Sequence, residues 1–181
     1  MKIILGIDPG TTVLGFALLD ATSSQGKLLD MGTLRLSKIK EHANKLKSIF
    51  EKTLQIIEQY HPHILAIEAP FYGKNPQSML KLGRAQGVVI AAAMYKGLEV
   101  YEYSPRKIKQ SITGNGNASK EQVAAMLIHM NLIEENKHPF DATDALAVAI
   151  CHHLQHRIAA VGQKFSGWEA FLTKNQDRII H

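Results

Sequence analysis

The sequence predicts an α/β domain, a five-stranded mixed sheet flanked by helices. Three observations predict it. Five short segments read as strands, each apolar or alternating and each bounded by turn residues. Stretches of helical period fall after the third, fourth and fifth of them. The links among the first three strands are short, which suits antiparallel neighbours, whereas the later links are long enough to carry a helical crossover.

Residues 2–8 (KIILGID) read as a buried strand that ends on a carboxylate, with Pro9-Gly10 just beyond. Residues 13–20 and 27–36 follow as strands, separated by Ser23-Ser24-Gln25-Gly26. Over 41–60 the period changes, and Leu46, Ile49, Phe50, Thr53, Leu54 and Ile57 fall on one stripe. His61-Pro62 stops that helix, and 63–68 is a fourth strand, reached through the helix and so parallel to the first. A long helix over 76–96 starts at Asn75-Pro76, with Gly83 and Gly87 one turn apart on it. Leu98 to Tyr103 is the fifth strand. Ser104-Pro105 has the chemistry of an N-cap and first helical residue, and that helix stops before Gly114-Asn115-Gly116-Asn117. Ser119-Lys120-Glu121-Gln122 matches a capping box. The last strong helix spans 141–157. The expected organisation is one domain over 1–158 and a weakly patterned tail over 159–181, which holds the lone Trp168.

Composition narrows the function classes. The 181 residues are 45% hydrophobic, enough for a sizeable core, and carry 21 Lys+Arg against 16 Asp+Glu. The positive charge is localised. Between Pro70 and Lys120, Lys74, Lys81, Arg84, Lys96, Arg106, Lys107, Lys109 and Lys120 face only Glu99 and Glu102, a local net of +6. Such a patch favours a polyanion. A single cysteine, Cys151, excludes an intramolecular disulfide. No apolar run approaches the roughly 20 residues of a membrane span. A cytoplasmic protein without a membrane partner is the expectation.

Four acids stand out against this background. Asp8 and Glu68 (in ILAIEAP) end strands, and Asp141 and Asp144 (in HPFDATDA) open a helix. Each has an ordinary reading: Asp-Pro-Gly is turn chemistry, and Asp141 can simply cap its helix. Together they read differently. Asp141 and Asp144 lie three residues apart and share a helix face. Two unit charges about 4 Å apart repel by roughly 4 kcal/mol at an effective dielectric near 20, so converging carboxylates need a cation. Mg²⁺ suits carboxylate and water ligands, and two such ions can drive an in-line phosphodiester displacement.

The order of elements resembles that of ribonuclease H-like domains. The motifs ILGIDPG, then AIE, then LKLGRAQGV (80–88), then DATDALA (141–147) resemble the RuvC family, the bacterial Holliday junction resolvases, in order and spacing from about residue 2 to 157. The resemblance implies a Mg²⁺-dependent endonuclease, with two ions per site during catalysis and Mn²⁺ able to substitute. Asp8, Glu68, Asp141 and Asp144 fall on the family's four acidic positions. It further implies a homodimer, four-way junction DNA as substrate, and the branch-migration proteins RuvA and RuvB as partners. Phe71 matches the aromatic that the family places shortly after the second acid, and Tyr72 and Lys74 accompany it. Lys109 and Lys120 match basic positions used for DNA, with Arg106 and Lys107 as neighbours. For any one lysine a solvated helix face is the plainer reading; for Phe71 the plain alternative is a core position, but its loop, flanked by Pro70 and Gly73, favours exposure.

Two rival classes remain open on sequence. A ribonuclease H-like RNA-processing nuclease shares the acids. The GIDPGTT segment also resembles the phosphate loop of actin-like kinases and ATPases, although 181 residues leave no room for their second half. His152, His153 and His156 near the end of the last helix read as favourable placement at a helix C-terminus. His138 sits close enough to Asp141 in sequence to shuttle a proton.

Overall fold

A computed structural model describes residues 2–70, 75–134 and 138–161. The strands are β1 (Ile3–Asp8), β2 (Val13–Asp20), β3 (Lys27–Arg35), β4 (Ile64–Glu68) and β5 (Glu99–Tyr103). The helices are α1 (His42–Tyr60), α2 (Pro76–Tyr95), α3 (Pro105–Thr113), α4 (Lys120–His129) and α5 (Phe140–Val161). The strands form one sheet in the order β3-β2-β1-β4-β5. β1–β2 and β2–β3 pair antiparallel, while β1–β4 and β4–β5 pair parallel. The mixed sheet expected from link lengths is the one observed.

Side-chain alternation divides the core between the two faces of this sheet. Ile3, Leu5 and Ile7 of β1 join Leu14, Phe16 and Leu18 of β2 and Leu65 and Ile67 of β4, against Ile49, Ile56 and Ile57 of α1 and Ala85, Val89 and Ala93 of α2. The opposite parity (Ile4, Ala17, Leu19, Ile64 and Ala66) packs on Leu146, Ala149 and Ile150 of α5, with Ile108 of α3 and Val123 of α4 beside them. Each fully buried Leu or Ile contributes about 1.5–3 kcal/mol. Asp8 and Glu68 have the parity of the second face, so both project to the side that α5 covers.

Helix α5 lies unusually close to the strands beneath it. A Cβ added to Gly6 would stand 2.2 Å from the Ala145 carbonyl oxygen, and one added to Gly15 would stand 1.9 Å from that of Asp141. Glycine at these two strand positions lets helix backbone rest on sheet backbone. That contact brings the first turns of α5 over the ends of β1 and β2.

The ends of the helices follow the expected chemistry, with small shifts. Asn75 caps α2 ahead of Pro76, Ser104 caps α3 ahead of Pro105, and Ser119 with Gln122 forms the capping box of α4. Helix α1 stops at His61, whose φ of 48° is left-handed. β5 begins at Glu99, because Gly97 (φ 79°) turns the chain and the Leu98 amide bonds back to Ala93. Helix α5 starts at Phe140 and continues to Val161, past the expected 157.

Candidate active site

Strand pairing sets the first two acids side by side. The β1–β4 register pairs Ile7 with Ile67, which places Asp8 and Glu68 at the adjacent ends of parallel strands about 4.8 Å apart. Across β2, Asp8 pairs with Gly15, the same glycine on which the Asp141 carbonyl rests. One turn on, Asp144 enters the same space. Asp8, Glu68 and Asp144 line a cleft of about 200 Å³ together with Pro105, Ile108 and Lys109 of α3, Lys120 and Val123 of α4, and Ala147. Asp141 does not line that cleft, but its charge acts on both Asp8 and Lys120. Among the described residues, no three His, Cys, Asp or Glu groups are drawn tightly enough to form a closed metal shell. The carboxylates face one another across the cleft.

Their electrostatics are those of crowded like charges. Burial, then Glu68, Asp144 and Asp141, push the Asp8 carboxyl up to about 8, against the opposing pull of Lys120. Burial and Asp144 raise Glu68 to about 7, with Lys120 and Lys109 opposing. The Lys120 ammonium forms an ion pair with Asp144. Burial works against that ammonium, but the Asp144 contact and the fields of Asp8 and Asp141 outweigh it and raise its pKa. One cation is thus already held among the carboxylates. The donors are all carboxylate oxygens, hard ligands of the kind Mg²⁺ takes, and two of them are kept from ionising by lack of positive charge. The residues present fit a divalent cation.

The two basic residues that line the cleft, Lys109 and Lys120, are positioned by capped helix starts. Arg106 and Lys107 are exposed on α3 and outside the cleft lining. Arg106 lies along Gly116 of the following loop. Phe71, Tyr72 and Lys74 lie outside the described residues. His138 is exposed and lines a neighbouring depression with Glu121, Phe140 and Thr143, apart from the acid cleft.

The histidines of α5 do not lie at the end of the helix, which runs on to Val161. His152 and His153 are buried. His152 is pushed down to about 3 by burial and by the nearby His156, Lys2 and His153. Its Nδ1 lies 2.9 Å from the Tyr103 hydroxyl, and its ring stacks on His156 at 4.2 Å and packs on Tyr101 at 4.6 Å. His153 Nε2 donates to the Ser24 carbonyl at 3.2 Å. Sequence reasoning also passed over Gly6 and Gly15 as determinants of the site. Glycine inside an apolar strand was the available signal.

The chain is similar to known proteins over most of its length. A family model described as crossover junction endodeoxyribonuclease RuvC matches residues 4–152. The crossover junction endodeoxyribonuclease RuvC of Christiangramia forsetii is 52% identical over 98% of this chain and 93% of its own. That of Cytophaga hutchinsonii is 53% identical over 98% of this chain and 88% of its own. Among solved structures, T. thermophilus RuvC in complex with a Holliday junction substrate superposes with a TM-score of 0.81 at 30% identity, covering 88% of this chain and 97% of that one.

Proposed function

The chain belongs to the crossover junction endodeoxyribonuclease RuvC family, and from that membership we propose that it resolves four-way DNA junctions by paired, symmetric cuts. Each cut hydrolyses one phosphodiester and leaves a 5′-phosphate and a 3′-hydroxyl. The single observation that carries this reading is the cleft where Asp8, Glu68 and Asp144 face Lys109 and Lys120. An acidic floor beside basic walls suits a metal-assisted attack on a polyanion.

Asp8, Glu68 and Asp144, with Asp141 beside them, would hold Mg²⁺, two ions per site during catalysis, with Mn²⁺ as a substitute. When bound, such cations lower the pKa of an attacking water and neutralise the leaving oxygen. The chain's own groups do the rest. Asp8 and Glu68 would hold those cations as carboxylates, their protons passing to solvent. Lys120 exchanges Asp144 for a phosphate oxygen, and Lys109 holds the same backbone from the α3 side. Arg106, Lys107 and Lys74 extend that contact along the strand, and Phe71 and Tyr72 stack on unpaired bases at the crossover, worth roughly 1–3 kcal/mol per base.

Symmetric cutting calls for two copies. The outer face of α2 supports a homodimer: Leu80 and Met94 are 59% and 64% exposed, and Gly83 and Gly87 have open space where a Cβ would be. No helix among the described residues is long and apolar enough to cross a membrane. Action on chromosomal junctions in a bacterial cytoplasm, beside RuvA and RuvB, completes the proposal.

The test offers the protein, with Mg²⁺, a four-way junction, the matching linear duplex and a structured RNA. Paired nicks confined to the junction, sealable by ligase, are expected. Preferential cutting of the RNA would move the protein to the RNA-processing class, and ATP turnover would move it to the actin-like one.

A further inference from the structure

The basic residues of the cleft all lie on the α5 face of the sheet. A second basic group sits at the same edge of the sheet but on the other face. Helices α1 and α2 each precede a strand that runs parallel to β1, so each begins at the edge where Asp8 and Glu68 end. His42 is the first residue of α1, Lys45 lies one turn along, and Lys81 and Arg84 lie in the second and third turns of α2. The two helices pack against each other, and His42 feels the fields of Arg84, Lys81 and Lys45. Lys45 donates to the Thr11 carbonyl at 2.9 Å, which ties the group to the loop that follows Asp8.

Three features mark this group as built for an anion. Lys81 and Arg84 are exposed, and among the described residues the ion pairs recorded involve neither of them nor Lys45. The Nε2 of His42 is buried with no hydrogen-bond partner. The start of α1 has no side-chain cap and no acid in its first turn, and its N-cap acid, Glu41, accepts from Asn44 Nδ2 at 3.0 Å, whereas α4 has both a capping box and Glu121. An uncapped helix start beside three cations favours phosphate oxygens.

We propose that His42, Lys81 and Arg84, braced by Lys45, form a phosphate site for a second arm of the junction, distinct from the arm held at Lys109 and Lys120. The two basic groups face away from each other across the sheet. A junction supplies, besides the backbone in the acid cleft, a second one that diverges from the crossover. The site rests on the junction-resolving function proposed above, and its occupant is a DNA phosphodiester.

The experiment measures affinity for a four-way junction and for a linear duplex across a salt series, without divalent metal, for the wild type and for the Lys81→Ala/Arg84→Ala double variant. Both side chains are exposed, so the fold is kept, and circular dichroism checks it. Each lost phosphate contact lowers the slope of log K against log salt by about 0.9, so the junction slope should fall by about 1.8, with a smaller change on the duplex. An unchanged junction slope, or an equal loss on the duplex, overturns the second-arm site. A wild type with no preference for the junction over the duplex instead defeats the function on which the site rests, which keeps the two failures apart.

Discussion

The two ends of helix α5 treat buried ionisable groups in opposite ways. At its start, Asp144 shares a cleft with Asp8 and Glu68, and the positive charge facing all three is that of Lys109 and Lys120. Asp8 and Glu68 are raised toward neutrality first by burial and then by the neighbouring carboxylates, which Lys120 only partly offsets. Farther along the helix, His152 and His153 are more deeply buried, yet each has a neutral partner: the Tyr103 hydroxyl for one, the Ser24 carbonyl for the other. A buried polar group with its hydrogen bond made is ordinary architecture. Like charges gathered without enough countercharge oppose folding and persist where a ligand will supply what is missing. That marks the first end as the candidate reacting centre, although the second holds more histidine.

The largest effect should come from emptying the first end of charge. Metal-assisted charge stabilisation worth several kcal/mol corresponds, at 1.36 kcal/mol per decade, to a loss of about a thousandfold or more in junction cleavage for Asp8→Asn. The same variant should melt higher than the wild type at pH 8 in the absence of metal, because it removes a carboxylate that burial and its neighbours disfavour. Cleavage near the wild-type rate, or a lower metal-free melting temperature at pH 8, would count against a crowded acid at the reacting centre.

The two ends also respond to pH with opposite sign. Asp8 and Glu68 have folded pKa values of about 8 and about 7, above their ordinary values of 3.8 and 4.5. For an acid raised on folding, the unfolded chain loses its proton first, so stability falls as pH rises from about 4 toward 8. His152 runs the other way. Its folded pKa of about 3 lies below the ordinary 6.5, so its contribution is present above 6.5 and is lost as pH falls toward 3. Two raised acids outweigh one depressed histidine, so the metal-free protein should lose stability from about pH 4 to 8, by on the order of a few kcal/mol. Saturating Mg²⁺ should remove that decline and leave the rise with pH that His152 contributes below about 6.5. Calorimetric melting from pH 4 to 9, with and without the ion, measures both. A metal-free profile flat from pH 5 to 8 would show that the acids are not coupled as described.

Backbone contact, more than any side chain, sets the reactive end in place. Gly15→Ala would press a methyl group into the Asp141 carbonyl oxygen, 1.9 Å from where the new Cβ would sit. Neither backbone is a flexible tip that can swing aside, so α5 must lift. Overpacking of this kind costs about 3 kcal/mol. It should also cut Mg²⁺ affinity, because Asp144 moves away from Asp8. A melting temperature for Gly15→Ala equal to that of the wild type would remove the close-approach argument.

Much of this was legible in the chain, for reasons that differ by residue. Apolar strand patterns placed Asp8 and Glu68 at strand ends, and the 3.6 period placed Asp141 and Asp144 on one helix face. Capping signals at Ser104 and Ser119 located the helices that carry Lys109 and Lys120. What a local pattern does not encode was missed. The Lys120–Asp144 pair spans 24 positions and depends on how α4 docks beside α5. The histidines were misjudged because a run of three near a helix end looks the same whether that end is solvated or buried. Only the packing of α5 against β5, where Tyr101 and Tyr103 wait, decides it.

The smallest expected effect tests whether the far end is merely architecture. Tyr103→Phe removes the hydroxyl that meets His152 Nδ1 and leaves the ring packing intact. A buried imidazole nitrogen deprived of its partner costs about 1–3 kcal/mol, and loss of the pair's own net contribution is about 1 kcal/mol, so a destabilisation near 1–2 kcal/mol is expected. Tyr103 also precedes the Ser104 cap of α3 and pairs with Glu68 across the β4–β5 register, so a functional role would have a route to the cleft. If the far end is only structural, the folded variant should cleave junctions at the wild-type rate at 20 °C and differ only in its melting temperature. A slower cleavage rate with unchanged melting would reverse that assignment. It would make the Tyr103–His152 pair a positioning element for Glu68, and α5 a single functional unit from its first turn to its buried histidines.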